Sequence, residues 1–129
     1  MPISHRYDAG LRTLFVSAEG AVGDDEFLEW GQRVASDEAI PAGRLELIDL
    51  RRLELPAVSS QTLRAVADAF RQRDRTQFET RIAVVASSDL AFGLSRMYQA
   101  YRFDAPITLE VFRDMDAARA WLGLPPEAV

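Results

Sequence analysis

Five polar residues carry most of the chemistry available to this chain: Asp49, Arg51, Ser59, Ser60 and Ser88. Asp49 stands near the end of an otherwise apolar strand, Leu45 to Leu50, where a carboxylate is costly to bury without a partner. Two roles are open to it. It can accept amides of the following loop and pair with Arg51 or Arg52, or it can stand charged at an edge where a phosphate or a partner docks. The serines have a similar pair of roles. A hydroxyl just before a helix caps a free amide, and several such hydroxyls at neighbouring helix N-termini form a polar rim. A second group, Phe92, Gly93, Arg96 and Tyr98, shares one helical stretch. Phe92 and Arg96 fall off its apolar stripe. Gly93 gives up about 1 kcal/mol of helix propensity relative to alanine, which points to a close neighbour: a backbone, a ligand in a small pocket, or an oligomer contact.

No activated nucleophile accompanies these groups, so no catalytic residue is assigned and the chain reads as non-enzymatic. The absence of cysteine excludes disulfide frameworks, thiolate catalysis and cysteine-ligated metals. The single histidine, His5, lies beside Arg6 and Tyr7 and reads as a surface or half-buried polar residue. Asp24, Asp25 and Glu26 are consecutive and cannot converge on one ion; they suit the first turn of a helix, where the dipole favours negative charge. No metal and no cofactor is therefore expected. Neither GxGxxG nor GxxxxGK[ST] follows a strand, and a chain without lysine has no P-loop. All 15 basic residues are arginine and asparagine is also absent, a bias that fits a GC-rich bacterial coding sequence. A net charge of -5 lacks the basic footprint that nucleic acid or an anionic membrane requires. No apolar h-region opens the chain and no window nears the roughly 18 apolar residues of a membrane span, so a cytoplasmic location is expected.

The elements that must position these residues alternate along the chain. Ile3 to Asp8 and Leu11 to Ala18 read as strands joined at Ala9-Gly10, and Gly20 and Gly23 bracket a turn. Phe27, Trp30 and Val34 form the stripe of a first helix. The strand Leu45 to Leu50 follows, then a connecting segment from Arg51 to Val58. Ser59 or Ser60 caps a second helix with the face Leu63, Val66, Ala67 and Phe70 and with Arg71, Arg73 and Arg75 at its far end. Ile82 to Ala86 is a continuous apolar run suited to a central parallel strand. Ser87, Ser88 and Asp89 open a third helix with the stripe Leu90, Leu94, Met97, Tyr98 and Tyr101. Pro106 introduces the strand Ile107 to Phe112. Asp114 caps a last helix carrying Met115, Ala118, Trp121 and Leu122, stopped by Gly123 and the following prolines.

The order ββαβαβαβα predicts one α/β domain over residues 1–129. Its expected core is a mixed, mostly parallel five-stranded sheet with helices packed on it. In such sheets ligands gather beyond the carboxyl ends of the strands. That edge is expected to hold Asp49, Arg51, Ser59, Ser60 and Ser88 together.

Over nearly its whole length the chain resembles the SpoIIAA-like family, the small bacterial relatives of STAS domains sometimes described as STAS/Sec14-type. The resemblance rests on Tyr7-Asp8, Leu14-Phe15-Val16 and Gly20, on Leu47-Ile48-Asp49-Leu50 and Ala83-Val84-Val85-Ala86, and on Phe92-Gly93 with Arg96-Met97-Tyr98. Val111-Phe112-Arg113, Ala118 and Trp121-Leu122 complete it. It implies a βα sandwich with a mixed sheet. In the anti-sigma-factor antagonists among STAS domains a serine after the aspartate-bearing strand is phosphorylated, and Ser59-Ser60 match that place. The usual Asp-Ser-Ser-Gly is Val58-Ser59-Ser60-Gln61 in this chain. Sec14-type relatives bind lipids or other apolar molecules.

The expected function is a non-enzymatic regulatory or binding module whose partner is a protein or a small ligand. Two alternatives stand beside it: a carrier or sensor of a small apolar or anionic, lipid-like ligand, and a serine-phosphorylated antagonist. A homodimer through the third helix is also open.

Overall fold

A computed structural model describes residues 2–41, 43–73, 80–102 and 107–127. Arg75 and Pro106 lie outside the described residues. The elements run β1 (Ile3–Asp8), β2 (Thr13–Gly23), α1 (Asp24–Ala35), β3 (Leu45–Ala57), α2 (Ser60–Arg73), β4 (Thr80–Val85), α3 (Asp89–Tyr101), β5 (Ile107–Phe112) and α4 (Met115–Leu122). The strands form one sheet in the order β1-β2-β3-β4-β5, antiparallel only between β1 and β2. The α/β architecture is the expected one.

This order dictates where the helices go. Each parallel step moves one strand over in the same direction, and right-handed crossovers then place every connecting helix on the same face. The layer α1, α2, α3 accordingly covers one face, packed over Leu14, Val16, Ile82 and Val84. Helix α4 follows β5 and returns across the opposite face, where Met115, Ala118 and Leu122 meet Leu47, Ala83 and Val85. Among the described strands the order is monotonic and has no reversal, hence no switch-point crevice of the kind at which such folds usually bind ligands.

Two strands differ from expectation, and both differences matter for the site. Strand β2 does not turn at Gly20. It passes through that glycine with φ +69° and continues to Gly23. Strand β3 does not stop at Leu50; it runs to Ala57, thirteen residues against the eleven of β2. The two extra residues are bulges. Ser17 pairs with Asp49 but Glu19 with Arg52, and Gly20 pairs with Leu53 but Ala21 with Leu55. A bulge shifts the alternation of side chains by one. Leu50, Leu53 and Pro56, spaced by three, therefore all face the α1–α3 layer. A period of three is foreign to a straight strand, which is why Arg51 to Val58 reads as a connection in the sequence.

Helix α3 also departs from its expected stripe. Leu90 and Met97 are exposed, at 56% and 39%, whereas Ala91, Ser95 and Arg102 are buried. The small residues Ala91 and Ser95 share the sheet-facing side with Leu94 and Tyr98, while Leu90 and Met97 point outward.

Candidate functional site

The polar residues expected at one edge do not all share it; Asp49 pairs in register with Val85, the last residue of β4, whereas Ser59 and Ser60 lie beyond the far end of β3. Asp49 lies inside β3, eight residues before its end, so roughly 20–25 Å of strand separate it from the start of α2. The single rim of Asp49, Arg51, Ser59, Ser60 and Ser88 is corrected on this point. Asp49 instead secures the first bulge. Its Oδ1 accepts the Arg51 backbone N–H at 3.0 Å, and the Arg51 guanidinium grips both carboxylate oxygens at 2.9 Å. The same guanidinium reaches Glu127 Oε2 at 2.7 Å and ties the chain beyond α4 to the sheet. Burial raises the Asp49 pKa, but the hydrogen bonds and charge of Arg51 outweigh it, and the net shift is downward.

Ser59 and Ser60 sit at the start of α2. Ser59 Oγ accepts the Thr62 N–H at 3.2 Å, as a capping residue does. The Ser59 N–H donates to Asp24 Oδ1 at 2.7 Å, and this bond holds the Asp24 carboxyl below its ordinary range. The helix terminus thus already has an anion supplied by α1. Ser88 caps α3, its Oγ accepting the Ala91 N–H at 3.1 Å, and Asp89 pairs with Arg113 at 2.8 Å.

The group Phe92, Gly93, Arg96 and Tyr98 also separates. Phe92 lies under the Arg113 guanidinium, 4.3 Å from its ring centroid, and Arg96 is exposed. Among the described residues a Cβ on Gly93 would meet nothing within 4 Å, so no backbone among them crowds that glycine. Only Tyr98 turns into the protein, and it reaches a cavity.

That cavity, of about 100 Å³, lies between the sheet and the α1–α3 layer. Its floor is Val16, Ala18, Ile48, Leu50 and Val84. Helix α1 contributes Phe27 and Trp30, α2 contributes Leu63 and Phe70, and α3 contributes Ala91, Leu94, Ser95 and Tyr98. Leu53, Pro56 and Val58 form the wall toward the strand C-termini, in place through the bulges of β3. The sheet and the two bulges set the floor apart from the helices, and the small side chains Ala18, Ala91 and Ser95 leave the space unfilled.

The few polar groups in the wall are mostly engaged. Glu46 is buried and its Oε1 accepts from Arg44 Nη2 at 2.9 Å and Nε at 3.3 Å. Ser95 donates its hydroxyl to the Ala91 carbonyl at 2.8 Å, and the Tyr98 hydroxyl accepts from Arg102 Nη1 at 3.0 Å. The Trp30 indole Nε1 is buried and has no hydrogen-bond partner among the described residues. Trp30 is otherwise packed in a ring cluster, stacked on Phe27 at 6.0 Å, tilted on Phe70 at 6.0 Å and edge-on to His5 at 6.3 Å.

On the other face α4 covers only part of the sheet. A shallow polar groove of about 460 Å³ remains beside it, between Arg6, Phe15, Ser17, Asp49, Arg119 and Glu127. Its charges are mutually engaged: Arg51 holds Asp49 and Glu127, and Arg6 and Arg119 approach the Phe15 ring at 4.3 and 5.9 Å. Among the described residues no group of three or more histidines or carboxylates is placed to hold a metal ion.

Sequence reasoning placed Trp30 and Leu94 on helix stripes but did not connect them to a pocket, and it missed Leu53, Pro56, Ala91 and Ser95. Two signals were present. Leu50, Leu53 and Pro56 repeat every three residues in a segment flanked by strand, and Ala91 and Ser95 lie one turn apart on α3.

No family model and no curated protein matches this chain. Among solved structures, it is similar to an uncharacterised protein of the DUF3478 family from Shewanella loihica PV-4, whose crystal structure is described as having a SpoIIAA-like fold. The two superpose with a TM-score of 0.58 over 93% of this chain and 91% of that one, at 18% sequence identity. The chain has a SpoIIAA-like fold. In this SpoIIAA-like domain no helix among the described residues is long and apolar enough to cross a membrane.

Proposed function

We propose that this SpoIIAA-like domain is a non-enzymatic binding module, and that its ligand is a small apolar molecule held between the sheet and the α1–α3 layer. The observation that carries this reading is the cavity. Protein interiors pack as densely as organic crystals, with few voids larger than a water molecule. Left unfilled, a partly open apolar hollow of about 100 Å³ forgoes at most about 2 kcal/mol of packing. That is a large fraction of the stability of a small domain. Water is a poor filler, because a buried water needs two to four polar partners and most polar groups in this wall are already bonded. An apolar molecule recovers the lost contacts.

Volume limits the ligand. An engineered cavity of roughly 150 Å³ accepts benzene, so by proportion this one encloses about four non-hydrogen atoms, and its open side leaves room for a five-atom probe. A whole lipid does not fit inside it.

The test is a titration of methyl-labelled protein with 2-methylbutane, followed by NMR. Saturable shifts confined to Val84, Leu94, Leu63 and Ile48 are the expected result. Absence of shifts, or shifts centred on the exposed Leu55 and Leu90, would overturn the reading.

A further inference from the structure

We propose that Trp30 determines ligand specificity in this cavity, its indole N–H selecting small apolar molecules that carry one hydrogen-bond acceptor oxygen, such as a short ketone, aldehyde or ester. The inference rests on the cavity being a ligand site and goes further by naming the chemistry of the ligand. Trp30 is 3% exposed and forms part of the wall, and its Nε1 has no partner among the described residues. Buried indole N–H groups nearly always find an acceptor, because leaving a donor unsatisfied costs about 1–3 kcal/mol. The other polar groups of the wall are differently placed. The Ser95 hydroxyl proton is committed to Ala91, and the Glu46 carboxylate is held by buried Arg44. An uncharged oxygen on the ligand satisfies the indole. A carboxylate is disfavoured, because it would be buried near Glu46 with no cation among the described residues facing it from the cavity wall.

Butanone and 2-methylbutane have the same shape and number of non-hydrogen atoms and differ by one acceptor oxygen. In ¹⁵N-labelled protein carrying Trp121→Phe, the remaining indole signal belongs to Trp30. Butanone is expected to shift that indole proton downfield along with the cavity methyl groups, while 2-methylbutane moves the methyl groups alone. Trp30→Phe is expected to weaken butanone binding about three- to tenfold and leave 2-methylbutane within about twofold. If both molecules move the methyl groups and neither moves the indole proton, the specificity role is wrong and the cavity reading survives. If neither molecule moves the methyl groups, both fail. The indole shift is read in protein that retains Trp30, so the outcome does not depend on Trp30→Phe folding.

Discussion

Gly31 in α1 lies so close to Val66 in α2 that a Cβ at position 31 would come within 2.8 Å of Val66 Cγ1. The two helices touch through that missing methyl group, and the β-branched valine has little freedom to move aside. Gly31→Ala is therefore expected to destabilise the protein by about 1–2 kcal/mol, even though alanine is the better helix former by about 1 kcal/mol. Gly93→Ala, with nothing among the described residues within 4 Å of the added Cβ, is expected to stabilise by about 0.5–1 kcal/mol. Urea unfolding of the two variants checks the pair; equal signs would show that the α1–α2 contact is looser than described.

Filling the cavity from its floor separates packing from binding. Ala18→Val places two more carbons on a strand position that suits a β-branched residue. The expected result is a gain of about 1 kcal/mol in stability, together with loss of 2-methylbutane binding. A loss of stability would mean that the space beside Ala18 is already occupied.

The Asp49–Arg51–Glu127 cluster makes stability depend on acid. Asp49 and Glu127 both have folded-state pKa values below their ordinary ones, as does Asp24. The unfolded chain then binds more protons than the folded chain, so stability rises with pH in that range. The contribution is complete above the ordinary carboxylate values and is lost as the pH falls through the lower folded ones. Asp49→Asn is expected to cost about 1 kcal/mol at pH 7, allowing for partial solvent screening. It should also flatten the decline in stability below pH 3.8, the ordinary value for Asp49. Denaturant midpoints measured from pH 7 to pH 2.5 test both statements.

The three serines are expected to differ according to their hydrogen bonds. Ser59→Ala and Ser88→Ala each remove a cap and should each cost about 1 kcal/mol. Ser60→Ala removes no hydrogen bond described for its side chain and should stay within about 0.5 kcal/mol of the parent. Thermal unfolding of the three variants, compared side by side, decides whether capping accounts for these residues.

Much of the fold could be read from the sequence because local pattern and tertiary role agree. Leu63, Val66, Ala67 and Phe70 recur at helical spacing on one face of α2 and are all buried, and Ile107 to Phe112 is a strand with the expected bounds. The site was harder to see, because there pattern and role diverge. Bulges break the period of two in β3, so its second half did not look like strand. Helix α3 approaches the sheet through Ala91 and Ser95 beside Leu94, while Leu90 and Met97 point outward. A hydrophobicity stripe weights Leu90 and Met97 and overlooks the small side chains. Tyr98 alone among the expected pocket residues reaches the cavity.

The mismatch between β2 and β3, eleven residues beside thirteen, offers a way for related domains to diverge. An insertion or deletion in one strand would deepen or close the internal hollow while leaving every helix in its place. Chain length at that seam would then tune the depth of the hollow, alongside the small wall residues that leave it unfilled.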